Sequence, residues 1–116
     1  MKAEVILQGQ PRELPPEWET NLLRIGQEVL TNAIRHAEAS KFDALLDFGS
    51  HEVRFKFCDN GRGFDSGKEN GGYGIHGMRE RVQGMGGEFL IQTAEGKGTT
   101  ISIVLPSKSA SQPEVL

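Results

Sequence analysis

Glu28, Asn32 and Arg35 stand at positions i, i+4 and i+7 of the stretch Glu28-Val29-Leu30-Thr31-Asn32-Ala33-Ile34-Arg35-His36, so on a helix they project from one face. Each brings a different chemistry. A carboxylate such as Glu28 can orient or deprotonate a nucleophile. The neutral oxygen of Asn32 is a hard ligand suited to Mg²⁺, which takes few protein oxygens and fills its octahedron with phosphate and water. The Arg35 guanidinium can grip phosphate with a fork of N–H groups. The same stripe on an ordinary surface helix would only face water, so the assignment depends on what the rest of the chain supplies.

It supplies two glycine-rich segments. Asp59-Asn60-Gly61-Arg62-Gly63 follows an alternating strand pattern that ends at Cys58. A carboxylate at the end of a strand can accept a hydrogen bond from an exocyclic amine such as that of adenine. Gly61 and Gly63 allow backbone to approach a flat ring and permit positive φ. An Asp/Asn-Gly turn is the plainer account of the same residues. Asp59 to Asp65 also resembles a calcium loop, but its spacing is wrong and the terminal Glu is missing. Further on, Gly72-x-Gly74-x-x-Gly77 has the letters of the dinucleotide-binding fingerprint. That fingerprint needs a strand directly before it, within a βαβ unit. A polar, glycine-rich run precedes it here, and the strands after it read as a hairpin. Glycines that open a helix still expose N–H groups able to hold phosphate. Gly96-Lys97-Gly98-Thr99-Thr100 reads by itself as a hairpin turn. The three sets together imply a magnesium–nucleotide site.

The elements that must position these residues follow from periodicity. Ala3–Gln8 reads as a strand. Pro15-Pro16 opens a long helix over about 17–37, with Leu22, Leu23, Gly26, Val29, Leu30, Ala33, Ile34 and Ala37 expected on its buried side. Phe42–Phe48 and Val53–Phe57 form a hairpin of strands. The glycine-rich stretch 59–74 reads as a long loop, either an ordinary flexible cap on the following helix or one that closes as a lid. A second helix covers Ile75–Met85 and ends at Gly86-Gly87. Strands Glu88–Thr93 and Thr100–Leu105 complete the order β-α-β-β-α-β-β. The fold class is α/β: a two-layer sandwich, its sheet mixed but mostly antiparallel, with both helices on one face.

Bulk properties narrow the class further. The chain has 116 residues and 36% apolar residues, enough for one modest core. The net charge of −3 argues against direct nucleic-acid binding. The single cysteine, Cys58, forms no internal disulfide and reads as a small buried hydrophobe. No apolar run approaches the length of a membrane span, and no signal-peptide pattern is present.

The chain resembles the ATP-binding catalytic domain of sensor histidine kinases, in the superfamily shared with gyrase, a heat-shock chaperone and mismatch-repair ATPases. Its first helix is similar to the family's Asn box, Asp59-x-Gly61-x-Gly63 to the first glycine box, and Gly72–Gly77 to the second. Asn32-Ala33-Ile34-Arg35-His36-Ala37 and Gly74-Ile75-His76-Gly77-Met78-Arg79-Glu80-Arg81 resemble the subgroup paired with LuxR-type response regulators. The resemblance runs from about Leu7 to Pro106 and implies a Bergerat-type ATP-binding fold. It implies that Glu28 polarises or deprotonates the attacking histidine and that Asn32 holds Mg²⁺. It places Arg35 and His36 near the phosphates; many relatives carry Lys where Arg35 stands, and a fork and a point charge grip phosphate differently. It gives Asp59 the adenine amine and sets Gly61 and Gly63 beside the ring. Gly72, Gly74 and Gly77 then shape a phosphate-side lid, and Thr99 supports Asp59 through water.

The partners implied are ATP/ADP, a dimerisation and phosphoacceptor domain of the parent kinase, and a response regulator with LuxR-type output. None of His36, His51 and His76 sits on an upstream helix, so the acceptor histidine is expected on another segment. The chain is read as an excised domain or natural fragment, monomeric alone, with a catalytic unit over 1–106 and a polar, frayed tail over 107–116. It is expected to be a cytoplasmic domain of a parent either soluble or membrane-anchored. Two other readings of the same fold remain: an anti-sigma-factor serine kinase, disfavoured by the Met78–Arg81 helix, and an inactive nucleotide-binding scaffold, disfavoured by intact Glu28, Asn32 and Asp59.

Overall fold

A computed structural model describes residues 1–63 and 74–107. The elements in chain order are β1 (Lys2–Gly9), α1 (Pro16–Arg35), β2 (Lys41–Phe48), β3 (Glu52–Asp59), α2 (Ile75–Gly84), β4 (Glu88–Thr93) and β5 (Thr99–Pro106). They form a five-stranded sheet in the order β1-β2-β3-β5-β4. β1 runs parallel to β2, and the other three pairs are antiparallel. The expected α/β order and mixed sheet are present. β4 pairs antiparallel with β5 and does not touch β3, so α2 is no part of a Rossmann βαβ unit.

Local chemistry sets the helix limits. Pro16 occupies the first turn of α1, where a missing N–H costs nothing, and Glu17 and Glu19 complement the positive end of the helix dipole. At the other end the N–H groups of His36 and Ala37 both reach the Asn32 carbonyl. Gly86, at φ 81°, closes α2 in the left-handed conformation that glycine adopts without steric cost. Arg12 fastens the β1–α1 connection by donating to the Ser107 carbonyl at 2.7 Å and lying over the Phe48 ring. Ser107, the first residue of the expected tail, also donates its N–H to the His51 carbonyl; the remainder, 108–116, lies outside the described residues.

The core lies between the helices and one face of the sheet. Ile25, Val53, Ile75, Met78, Val82, Ile101, Ile103 and Leu105 are its largest fully buried members. Each large aliphatic among them contributes about 1.5–3 kcal/mol. The buried side of α1 differs from the periodicity reading. Ile25, absent from that reading, is fully buried, whereas Leu23 and Ile34 are exposed. Ile25, Val29 and Ala33 turn to the sheet, which rotates the helix toward its Asn32 side.

The edge strand β1 is exposed along its whole length. Beside it an apolar groove of about 390 Å³ opens between α1 and the sheet, with Leu23, Leu30, Leu46 and Phe55 in its walls. Cys58, expected to be buried, is half-buried on the opposite face and accepts the Thr100 hydroxyl at 3.4 Å.

Candidate nucleotide-binding site

Asp59 is the last residue of β3 and pairs in register with Thr99, the first residue of β5. Two strands distant in sequence thereby place a carboxylate and a hydroxyl side by side. Both residues are only 8% exposed. The turn after Asp59 is held rigidly. Asn60 accepts the N–H groups of Ser40 and Lys41 at 3.0 and 2.9 Å and donates to the Ser40 hydroxyl at 2.9 Å. The Gly61 N–H donates to Asp59 Oδ1 at 2.8 Å. Burial raises the Asp59 pKa, while hydrogen bonds from the Gly61 and Thr99 backbone pull it back. A carboxylate offers about four acceptor positions, so two backbone donors leave capacity for an incoming amine. The Thr99 hydroxyl itself pairs with Thr93 at 2.9 Å.

Asp59 forms the polar floor of a narrow pocket. Val29, Ala37, Ile75 and Ile101 supply apolar walls, and Asn32, His36, Gly63 and Thr99 complete it. A slot with hydrophobic walls and one carboxylate suits a flat heteroaromatic ring carrying an exocyclic amine. The glycines have a further role beyond the one expected. A Cβ on Gly61 would come within 2.5 Å of the Ala37 Cβ and 2.6 Å of its carbonyl oxygen. One on Gly63, at φ 64°, would strike the Ala94 carbonyl. Both are therefore demanded by the protein's own backbone packing.

Asn32 sits one turn of α1 beyond Val29 and lines the pocket. No cluster of three or more His, Cys, Asp or Glu that would hold a metal exists among the described residues. Asn32 itself offers one neutral amide oxygen, a hard ligand of the type Mg²⁺ takes alongside phosphate and water. Glu28 lies one further turn toward the start of α1, half-buried, and pairs with Arg81 of α2 at 3.2 Å. Gly74 caps α2 at φ 71°, and a Cβ there would lie 3.2 Å from Glu28 Oε2. Gly77 occupies the first turn of α2. Arg35 shares the Glu28 stripe, is exposed, and does not line the pocket. Gly72 lies outside the described residues.

The structure thus gathers Asn32, His36, Asp59, Gly63 and Thr99 around one pocket, packs Gly61 beneath it, and sets Glu28, Gly74 and Gly77 at the α1–α2 junction. Sequence reasoning missed the walls Val29, Ala37, Ile75 and Ile101, the turn fastener Asn60, and Arg81. Gly74, Gly77 and Arg81 at i, i+3 and i+7 share a face of α2, which is the signal that would have found the last.

A five-stranded mixed sheet with two helices over an Asp-floored slot defines a nucleotide-binding α/β domain. The chain belongs to the family of histidine kinase-, DNA gyrase B- and HSP90-like ATPases, which it matches over residues 19–109. It is 39% identical over 89 residues to sensor histidine kinase LiaS of Bacillus subtilis (strain 168), covering 76% of this chain and 25% of that protein. It is 36% identical over 99 residues to the signal transduction histidine-protein kinase/phosphatase DegS of Brevibacillus brevis, covering 84% of this chain and 26% of that protein. The structure of the blue-light activated histidine kinase EL346 of Erythrobacter litoralis superposes with a TM-score of 0.68 at 27% identity, over 91% of this chain and 36% of that one. The chain therefore spans about a quarter of the curated relatives it matches. It is an ATP-binding catalytic domain of the histidine-kinase type. No helix among the described residues is long and apolar enough to cross a membrane.

Proposed function

We propose that this domain binds Mg-ATP and supplies the γ-phosphoryl group to a histidine on a separate dimerisation domain of the same kinase, for relay to an aspartate of a response regulator with LuxR-type output. The observation that carries the nucleotide half is the buried Asp59 carboxylate, with spare acceptor capacity, on the floor of an apolar slot. Asp59 accepts the adenine amine, and Val29, Ile75 and Ile101 sandwich the ring. Asn32 holds Mg²⁺, which when bound neutralises phosphate charge. Arg35 and His36 serve the phosphates from the end of α1, and Gly72, Gly74 and Gly77 border them from the other side. Glu28 receives the imidazole proton as the histidine nitrogen bonds to phosphorus and ADP leaves. Residues 1–106 form the catalytic unit, monomeric alone and cytoplasmic. The similarity to sensor kinases named LiaS and DegS supports the phosphorelay half.

Calorimetric titration of this chain tests the reading. A non-hydrolysable ATP analogue binds more tightly with Mg²⁺ than without, and the GTP analogue binds weakly. Asn32→Ala leaves the fold intact and abolishes the magnesium enhancement. Equal enhancement in the variant, or equal affinity for both purines, overturns the assignment.

A further inference from the structure

The three charged residues Arg79, Glu80 and Arg81 of α2 go to three different places. Arg79 lies over the Phe89 ring at 5.1 Å. Glu80 pairs with His76 one turn earlier at 2.9 Å, fully on the surface. Arg81 alone crosses to the other helix, where Nη1 donates to Glu28 Oε1 at 3.2 Å and Oε2 at 3.5 Å. A helical side chain leans toward the N-terminus of its helix, so Arg81 extends back over Gly77, whose missing Cβ would lie 3.8 Å from Nη1. Gly74 closes the other side of the carboxylate. The Glu28 carboxylate thus meets a guanidinium on one side and the Gly74 position on the other, at the junction of α1 and α2. A pair this exposed, 28% and 36% at the two side chains, contributes little to stability. Its value is geometric, because one guanidinium nitrogen reaching both carboxylate oxygens limits the rotamers open to Glu28.

We propose that Arg81 is a positioning residue for phosphotransfer: it holds Glu28 in the rotamer from which the carboxylate receives the imidazole proton. This rests on the role given to Glu28 above. A general base displaced by about 1 Å loses on the order of a hundredfold in rate.

Phosphotransfer read in the kinase carrying this domain, with its acceptor histidine, tests the inference. Arg81→Ala is expected to lower kcat about tenfold to a hundredfold, with KM for ATP within about twofold of wild type. Arg81→Lys, which keeps the cation on a shorter stem with a different head group, recovers part of that loss. In a Glu28→Gln background, Arg81→Ala adds nothing, since there is no base left to position. An equal loss in both backgrounds overturns the inference, as does a raised KM with kcat intact, which would make Arg81 a direct phosphate ligand. A kcat that follows only the unfolded fraction, read from thermal unfolding of the Ala and Lys variants, overturns it too. If Glu28→Gln lowers kcat while Arg81→Ala leaves it unchanged, Arg81 alone is excluded. If Glu28→Gln leaves kcat unchanged, the base assignment falls and this inference with it.

Discussion

At the Asp59 end of the slot, position is enforced by the sheet: β3 and β5 are in register, Asn60 ties the turn to Ser40 and Lys41, and two glycines leave no space for a side chain. At the Glu28 end, position depends on two helices meeting through one partly exposed ion pair. The first end is over-determined and the second adjustable. On the proposed function, adenine recognition asks for one fixed hydrogen bond, whereas phosphotransfer must admit an incoming histidine; a rigid reader beside a yielding reaction end would satisfy both demands.

The contrast can be broken most forcefully at the rigid end. Gly63→Ala forces a Cβ into the Ala94 carbonyl at a positive φ. It is expected to cost about 2–4 kcal/mol of stability from backbone strain and overpacking together, read by urea unfolding. Asp59→Asn is expected to weaken ATP-analogue binding by about 1–3 kcal/mol through a mismatched buried hydrogen bond, read by calorimetry. Its effect on stability should have the opposite sign. The folded pKa of Asp59 is raised, chiefly by burial. The native state therefore binds more protons than the unfolded state, and the carboxyl's favourable contribution is lost as pH rises through the raised pKa. At neutral pH the ionised group is a net cost that Asn removes, so the variant's melting temperature should equal or exceed that of wild type.

Acidification sharpens the same point. As pH falls through the raised pKa, the carboxyl is protonated and loses acceptor capacity. Affinity for the analogue should then decline at a higher pH than an ordinary carboxylate would produce, and the difference between wild type and Asp59→Asn should shrink with it. The smallest effect is expected at the yielding end. Gly74→Ala also places a side chain at positive φ, but its Cβ meets the movable tip of Glu28 at 3.2 Å. About 1 kcal/mol of stability should be lost, read by urea unfolding. A Gly74→Ala loss as large as that of Gly63→Ala would erase the distinction between the two ends.

These two ends were unequally legible in the sequence. Strand alternation and turn glycines located β3, β5 and Asp59, because period-two patterns and Asp-Gly turns are local signals. The pairing of Asp59 with Thr99 came only from family resemblance, since register between distant strands leaves no local trace. The buried side of α1 was misjudged at Leu23, Ile25 and Ile34. Periodicity sums apolar residues around a helix, but the sheet and the second helix decide which arc is covered. The α2 arginine reaching Glu28 escaped notice for a related reason: a contact between helices depends on their relative placement, which spacing within either one does not encode.

The β3–β5 register has a consequence for how the domain forms. The β2–β3 and β4–β5 hairpins each close over a short turn, so they are cheap to nucleate. Joining them along β3 and β5 closes a much longer stretch of chain, including all of α2, and belongs to the slow class of non-local pairings. Asp59 and Thr99 become neighbours only in that docking step. ATP therefore has nothing to bind until this non-local pairing has formed. A ligand that recognises only the docked state at a hundred times its Kd deepens that state by about 2.7 kcal/mol. On the proposed reading, ATP would then be a folding ligand for the domain as well as its phosphoryl donor.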